Sequence, residues 1–502
     1  MIKNENKIVT INIISAIALQ LITIVSGFVI PKIIISMFGS DVNGLISSIN
    51  QFLNYISLLE GGIGSVIMAA LYKPLAEHDT KKLNGVMNAA NYFFKKIGLI
   101  YLVYLFVVAF VYPILVHTGY SYEYSFALII VLGVNLIIQY FFSIQYRLLL
   151  NADRKVYYVS IVQSVIILLN LVAVVVLSRL FKDILIIKIG SALAYVIQPI
   201  LFHIIVHKHF DLDRTVPKDN ETLEQRWDGF FINLAAFIHE NTDVVIITLF
   251  GTLAQVSVYS VYYMIVLAVR SLIMSVSGAI GPSYGRIYAA NDLGKINDAY
   301  DRYQFGMNLI TTTIFTCTMI LITPFVMVYT KGVTDADYNQ LIFGVILCLA
   351  EMIYCYRDPS NCAVYTAAKF KDVSKYAMSE AIMNIIISVI LVRKYGLIGV
   401  AIGTAVSMFY RTAMNIVYLK KNVIKRKLRK AIKGLLVCLI GITTPAIICF
   451  SAMNLHCDNY LQWILKAIIV VVIVFSINGI LFYISYKKEF REEILYRLFR
   501  IG

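Results

Sequence analysis

The chain is 502 residues long, 59% hydrophobic and only 15% charged, with 44 Lys and Arg against 29 Asp and Glu. A water-soluble fold of this length needs far more polar surface, so the composition excludes one and points to a chain that spans a membrane. The net charge of +15 then belongs to membrane topology and anionic inner-leaflet lipid, and no nucleic-acid partner is expected.

Apolar residues fall in runs of roughly eighteen or more, the length of helices crossing a hydrocarbon layer about 30 Å thick. The alternation of a membrane β-barrel is absent. The first run, 8–31, follows "MIKNENK" without a small-residue cleavage site and reads as a retained span. The second, 44–71, contains "NGLISSINQFLNYISLLEGGIGS". Asn43, Ser47, Asn50, Asn54, Ser57, Gly61 and Gly64 share one helical face there, with Glu60 at its edge. Such a face is either a tight helix seam or the wall of a watered cavity, and the mid-span carboxylate favours the wall. Spans at 97–117, 125–150, 157–178 and 184–206 follow, and the polar stretch 207–228 is the natural linker.

The seventh span, 229–249, carries "HENTD", with Glu240, Asn241 and Asp243. The eighth, 255–281, holds Arg270 near its middle. Spans at 305–329, 340–366, 375–392 and 397–419 come next, with Arg357 in the tenth and Arg411 in the twelfth. Glu380 and Asn384 lie one turn apart in the eleventh. Spans 434–453 and 462–486 close a set of about fourteen helices in an all-α polytopic protein.

Most of the Lys and Arg fall in alternate connections such as "NADRK", "HKHFDLDRTVPKDNETLEQR" and "LKKNVIKRKLRKAIKG". The intervening ones, "HTGYSYE", "TKGVTDADYN" and "MNLHCDNY", are short and nearly neutral. The positive-inside rule therefore puts both termini in the cytoplasm. Sliding the chain by about 212 positions superposes "KKLNGV" on "GKINDA" and "IGSALAY" on "IGTAVSM", the mark of an internal duplication. Each repeat has an even number of spans, so the halves enter the membrane alike, as two six-helix lobes in parallel repeat. The resulting organisation is an N-lobe 1–206, a linker 207–228, a C-lobe 229–419, and a basic loop, two extra helices and tail over 420–502. The seven cysteines sit mainly in apolar runs and read as packing residues, with Cys457 outside and no disulfide expected.

An arginine at mid-bilayer costs about 2.5–3.5 kcal/mol on insertion scales, so Arg270, Arg357 and Arg411 mark function or a specific structural role. Arg357 and Arg411 lie near the inner end and are placed to snorkel. Arg270 needs a carboxylate or a hydrated cavity, with Glu60, Asp243 and Glu351 as available partners. A guanidinium fork matches phosphate oxygens, so an anion is its natural cargo. Asp243, Glu240, Glu380 and Asn384 offer oxygens to a Na⁺ ion or a proton, or else form internal salt bridges to Arg270 or Arg411. No phosphate-cradling loop, metal-ligating helix or nucleophile–base pair is present in the sequence, so neither catalysis nor a resident metal is expected.

The tract "RDPSNCAVYTAAKFKDVSKYAMSEAIMNIIISVILVRKYGLIGVAIGTAVSMFYRTAMNIVYLKKNVIKR" (357–426), with "LLLNADRKVYY" (148–158), resembles bacterial polysaccharide flippases. These are the Wzx-type members of the multidrug/oligosaccharidyl-lipid/polysaccharide exporter superfamily. The "AAKFKD" turn, the "GLIGVAIGT" span start and "FYRT" carry the likeness. The resemblance implies a V-shaped plasma-membrane transporter that moves an undecaprenyl-diphosphate-linked oligosaccharide outward by alternating access around a cationic cavity. Capsule, exopolysaccharide or O-antigen synthesis is the implied process, with a polymerase and glycosyltransferases as implied partners. Arg270 matches the arginine that holds the diphosphate, with Arg357, Arg411, Glu60, Asn50 and Asn54 completing the implied cavity. Asp243, Glu380 and Asn384 match the Na⁺ site of the related lipid II flippase by position. The first span departs from that relative, lacking interior arginines and offering only Lys32, which favours a capsule or exopolysaccharide unit over lipid II. A drug exporter of the same superfamily remains the alternative; a polysaccharide polymerase is disfavoured by the short outer loops.

Overall fold

The computed structural model describes residues 2–60, 62–116, 118–219, 230–290, 293–424 and 428–490, and all regular structure among them is helical. By internal packing the chain forms two units, Met1–Phe237 with Thr252–Ser257, and Ile238–Gly251 with Val258–Gly502.

The first unit is built from α1 (Ile2–Phe38), α2 (Ser40–Asn54), a 3₁₀ turn (Tyr55–Glu60), α3 (Ile63–Glu77), α4 (Thr80–Leu115), α5 (Tyr122–Ile138), a π-turn (Gln139–Ser143), α6 (Ile144–Ala152), α7 (Val156–Leu180) and α8 (Ile184–His209). Leu45, Ile49, Ile67, Phe94, Tyr101, Leu149 and Phe202 meet in one buried cluster. The apolar residues left over point outward. On α1, Ile13, Ile14, Ile17, Leu21 and Val25 are all exposed. In water that face would aggregate, whereas in lipid it is the face the solvent prefers.

The second span is not the continuous helix 44–71 that its apolar pattern suggests. Ser40–Glu60 and Ile63–Glu77 are two pieces bent by 45°. The sequence between them, Gly61-Gly62, has the weakest helix propensity short of proline, and hydropathy averaged over a span does not register it. The segment after α8 is no loose tether either. The Asn84 side chain donates to the Asp211 carbonyl (3.2 Å) and accepts from the Asp213 amide (3.1 Å), while Asn88 donates to the Asp213 and Val216 carbonyls (3.0 and 2.9 Å). Within that segment the Thr215 amide and hydroxyl donate to the Asp213 carboxylate, holding it below the usual carboxylate range. The rest of the stretch read as linker, from residue 220, lies outside the described residues.

The second unit contains most of α9 (Phe230–Phe250) and α10 (Leu253–Ala289), then α11 (Leu293–Tyr329), α12 (Leu341–Thr366), α13 (Phe370–Asn422), α14 (Leu428–Ala452), α15 (Tyr460–Ser485) and the short α16 (Lys487–Phe490). α13 is two helices in one run, because Gly396 adopts φ 54°, ψ −130°, a conformation that L side chains disfavour. The two halves then pack closely. A Cβ at Gly403 would lie 2.2 Å from Ser388 Oγ and 2.9 Å from its backbone nitrogen, so only glycine permits the approach. α14 and α15 lie against α11, burying Cys317, Ile320, Cys449, Val470 and Val474.

Among the described residues ten helices are long and apolar enough to cross a membrane, or eleven with the bent pair taken as one span. The sequence suggests about fourteen. The difference has three sources: α13 holds two spans joined at Gly396, α12 carries Glu351, Arg357 and Asp358 within its apolar stretch, and α9 is only partly among the described residues. The protein is a multi-pass helical membrane protein.

Candidate functional site

Three arginines and four carboxylates gather inside the second unit. α10 carries Arg270, and its guanidinium spans two acidic partners on different helices. Nη1 donates to Glu351 Oε2 on α12 at 3.0 Å, and Nη2 to Glu240 Oε1 on α9 at 2.9 Å. The two carboxylates are unequal: the Glu351 side chain is 2% exposed and that of Glu240 45%. Buried Glu351 has exchanged its hydration for this contact, so its place is fixed; Glu240 keeps access to other partners. Of the partners available in the sequence for Arg270, Glu351 is the one it meets.

Further along α12, Arg357 is 1% exposed. It shares a single carboxylate with Arg411, Glu380 Oε1 lying 3.0 Å from Arg357 Nη1 and Oε2 2.6 Å from Arg411 Nη1. Neither arginine snorkels. Both are drawn inward by Glu380, itself 1% exposed, because a buried pair with charge-assisted hydrogen bonds offsets desolvation better than a bent side chain does. Two guanidiniums on one carboxylate leave this clamp with an excess positive charge, and the Nε atoms of both have no hydrogen-bond partner. The Tyr354 ring lies within cation–π range of both Arg270 and Arg357, with centroid distances of 4.8 and 5.3 Å.

A third cluster is uncharged apart from Asp243, which is 4% exposed. Tyr259 and Thr404 hydroxyls donate to Asp243 Oδ2 at 3.0 and 2.9 Å, and the Asn384 amide donates to Thr404 Oγ1 at 2.9 Å. The Asn384 side-chain oxygen is buried without a hydrogen-bond partner. A carboxylate, a hydroxyl and an amide oxygen are the kinds of ligand a hard monovalent cation takes, and a buried carboxylate can also take a proton. The coupling-ion residues singled out in the sequence are thus divided. Asp243 and Asn384 come together around Thr404, while Glu380 belongs to the arginine clamp and Glu240 to Arg270.

The first unit holds the remaining candidates. Glu60 ends the 3₁₀ turn at the break of the second span and accepts a 2.5 Å hydrogen bond from Tyr140, with Arg147 in electrostatic reach. Tyr140 stands on the π-turn, a one-residue expansion of the helix often found at functional positions. Along the amide stripe, Asn43 is buried and donates to Ser257 Oγ (2.8 Å), while Asn50 and Asn54 are exposed. The stripe is therefore a seam at its start and an open face further on.

Sequence reasoning missed Tyr140, Tyr259, Tyr354 and Thr404. No local signal marks them: the chain has 34 tyrosines, and a hydroxyl carries no insertion cost large enough to stand out. A fifth residue passed over is Asp358, whose Oδ2 accepts from Ser277 and from Tyr303 (2.9 Å).

No family model matches the chain, and no curated protein matches it in sequence. Its similarity lies in structure. A lipid II flippase, MurJ, in an inward-closed conformation superposes with a TM-score of 0.73 over 95% of this chain and 100% of that one, at 16% identity. An inward-facing multidrug resistance MATE-family transporter of the MOP superfamily gives 0.64 over 80% of this chain and 96% of that one, also at 16% identity. The MATE multidrug transporter DinF-BH, in a ligand complex, gives 0.60 over 83% and 95%, at 15% identity. The chain has the polytopic helical fold shared by the lipid II flippase and the MATE transporters.

Proposed function

We propose that the protein is a flippase of the Wzx type, carrying an undecaprenyl-diphosphate-linked oligosaccharide from the inner to the outer leaflet by alternating access, for synthesis of a capsule, exopolysaccharide or O-antigen-like polymer. The observation that carries the reading is Arg270, bridged between one fixed and one half-exposed carboxylate. In this scheme the diphosphate replaces Glu240 on the outer prong of the guanidinium, and Glu351 keeps the fork aligned throughout. A phosphate oxygen pair matches the planar donor geometry that a lysine lacks. The excess positive charge of the Arg357–Glu380–Arg411 clamp adds long-range attraction for the same anion. Exposed Asn50 and Asn54 offer amides to sugar hydroxyls.

Coupling follows from α9. Glu240 and Asp243 are three residues apart on that helix, so a Na⁺ ion or proton taken up at Asp243 acts on the element that presents Glu240. The likeness in fold to a lipid II flippase supports a lipid-linked glycan as cargo; in this scheme glycosyltransferases act before the protein and a polymerase after it.

The test uses cells that make a surface polymer through this protein. Arg270→Ala at normal membrane abundance is expected to stop polymer export and to leave the lipid-linked precursor on the inner leaflet. Export at the parental rate would remove Arg270 from the mechanism. Asp243→Asn is expected to leave transport insensitive to the Na⁺ or proton gradient; retained sensitivity would move the coupling site elsewhere.

A second reading has one observation in its favour. The three arginines face four carboxylates, Glu240, Asp243, Glu351 and Glu380, so the polar interior of this unit is not cationic in sum. That balance suits a cation-coupled exporter of organic cations. A deletion strain separates the two: drug hypersensitivity with no lipid-linked oligosaccharide accumulating favours the exporter.

A further inference from the structure

At the end of α8 that the loop charges assign to the cytoplasm, two imidazoles stand one helical turn apart on the same face. Counted from Ile184, His203 lies about 29 Å and His207 about 35 Å along the helix, against a hydrocarbon layer about 30 Å thick. The first is at the boundary of the apolar layer and the second beyond it, and both side chains are exposed. Their ring centroids are 3.9 Å apart, with the planes tilted by 37°.

The contacts of the pair leave the same atom open on each ring. His207 Nδ1 lies 3.0 Å from the His203 carbonyl. A carbonyl only accepts, so that nitrogen carries the proton and the lone pair of the neutral ring is at Nε2. His203 Nδ1 lies 3.5 Å from the Tyr146 hydroxyl, which can accept in the same way. Among the described residues neither Nε2 makes a hydrogen bond. Tyr146 on α6, 7% exposed, meets both rings edge-on, with centroids 6.2 Å from His203 and 6.1 Å from His207. One buried side chain therefore holds the orientation of both. An imidazole whose Nδ1–H is tied to an oxygen and whose Nε2 is open has the form that metal-ligating histidines adopt. Two of them at i and i+4 chelate one ion from a single helix face.

We propose that His203 and His207 bind one first-row divalent cation of the imidazole-preferring class, Zn²⁺, Ni²⁺ or Cu²⁺, through their Nε2 atoms. Hard cations such as Mg²⁺ prefer oxygen ligands and are not expected here. Among the described residues no third His, Cys, Asp or Glu joins the pair. Water then completes the shell, and the ion is exchangeable. Arg214, in the segment docked on α4, is in electrostatic reach of His203 and repels a cation there, so the affinity is lower than that of a closed site. None of these residues belongs to the Arg270, Glu380 or Asp243 clusters, so the inference stands apart from the flippase reading.

The experiment titrates the full-length, untagged protein in detergent with Cu²⁺, read by electron paramagnetic resonance, and with Zn²⁺, read by calorimetry. One ion per chain is expected, with the hyperfine pattern of two nitrogen ligands and no displacement by Mg²⁺. His203→Gln and His207→Gln are each expected to lose the two-nitrogen pattern. His209→Gln is expected to keep it, because the Nε2 of His209 already meets the Tyr158 hydroxyl at 3.3 Å. Arg214→Gln is expected to tighten Zn²⁺ binding about two-fold or more, the scale of an exposed charge–charge contact. The replaced imidazoles are exposed, so each variant is expected to melt at the parental temperature, which separates loss of the site from loss of the fold. Absence of a stoichiometric ion on the parental protein, or an unchanged two-nitrogen pattern when His203→Gln and His207→Gln are combined, overturns the proposal.

Discussion

Glu380 illustrates how much one side chain decides in a low-dielectric interior. It is 1% exposed and accepts from two guanidiniums, so Glu380→Gln leaves Arg357 and Arg411 buried against each other without a counter-ion. Breaking a buried ion pair by removing one partner costs about 3–5 kcal/mol. Thermal unfolding in detergent is expected to show a clearly lowered midpoint for this variant, and an unchanged midpoint would mean that the clamp contributes nothing to folding. The sequence exposed the existence of these charges, because ionised groups in apolar runs are rare and costly. It did not expose their pairing. Glu60, Asp243 and Glu351 were equally available to Arg270, and only the packing of α9, α10 and α12 selects Glu351 and brings Glu240 to the other prong.

Helices as units were legible because lipid demands about twenty apolar residues in a row, and that demand is written into the sequence almost without ambiguity. What interrupts a helix was not. The bend in the second span, the π-turn at Gln139–Ser143 and the reversal at Gly396 each involve only a few residues, which hydropathy averages away. The close packing of the two halves of α13 gives a test at this scale. Gly403→Leu drives a side chain into Ser388, including its backbone nitrogen, and overpacking of this kind costs about 1–3 kcal/mol or more. A lower melting temperature and reduced membrane abundance are expected. Wild-type stability would mean that the halves separate without loss.

For the whole chain, the asymmetry of Lys and Arg makes a prediction that needs no knowledge of function. Thr334, in the exposed turn between α11 and α12, is expected to face outward, and Lys421, at the end of α13, inward. The native thiols give little background, since six of the seven cysteines, Cys457 included, are buried. A membrane-impermeant maleimide applied to intact cells is expected to label Thr334→Cys and to spare Lys421→Cys. The opposite pattern would invert the topology and with it the direction of any transport. The duplication that the sequence suggests rests on scattered matches near one offset.

The arithmetic of the two charge clusters and Asp243 reaches beyond their local chemistry. Three guanidiniums and four carboxylates carry a formal charge of minus one, so capture of a single monovalent cation brings the assembly to neutrality. For the proposed transport cycle, empty and cation-loaded forms would then respond differently to the membrane voltage, by about 2.3 kcal/mol per elementary charge for each 100 mV, and turnover in energised vesicles is expected to be electrogenic.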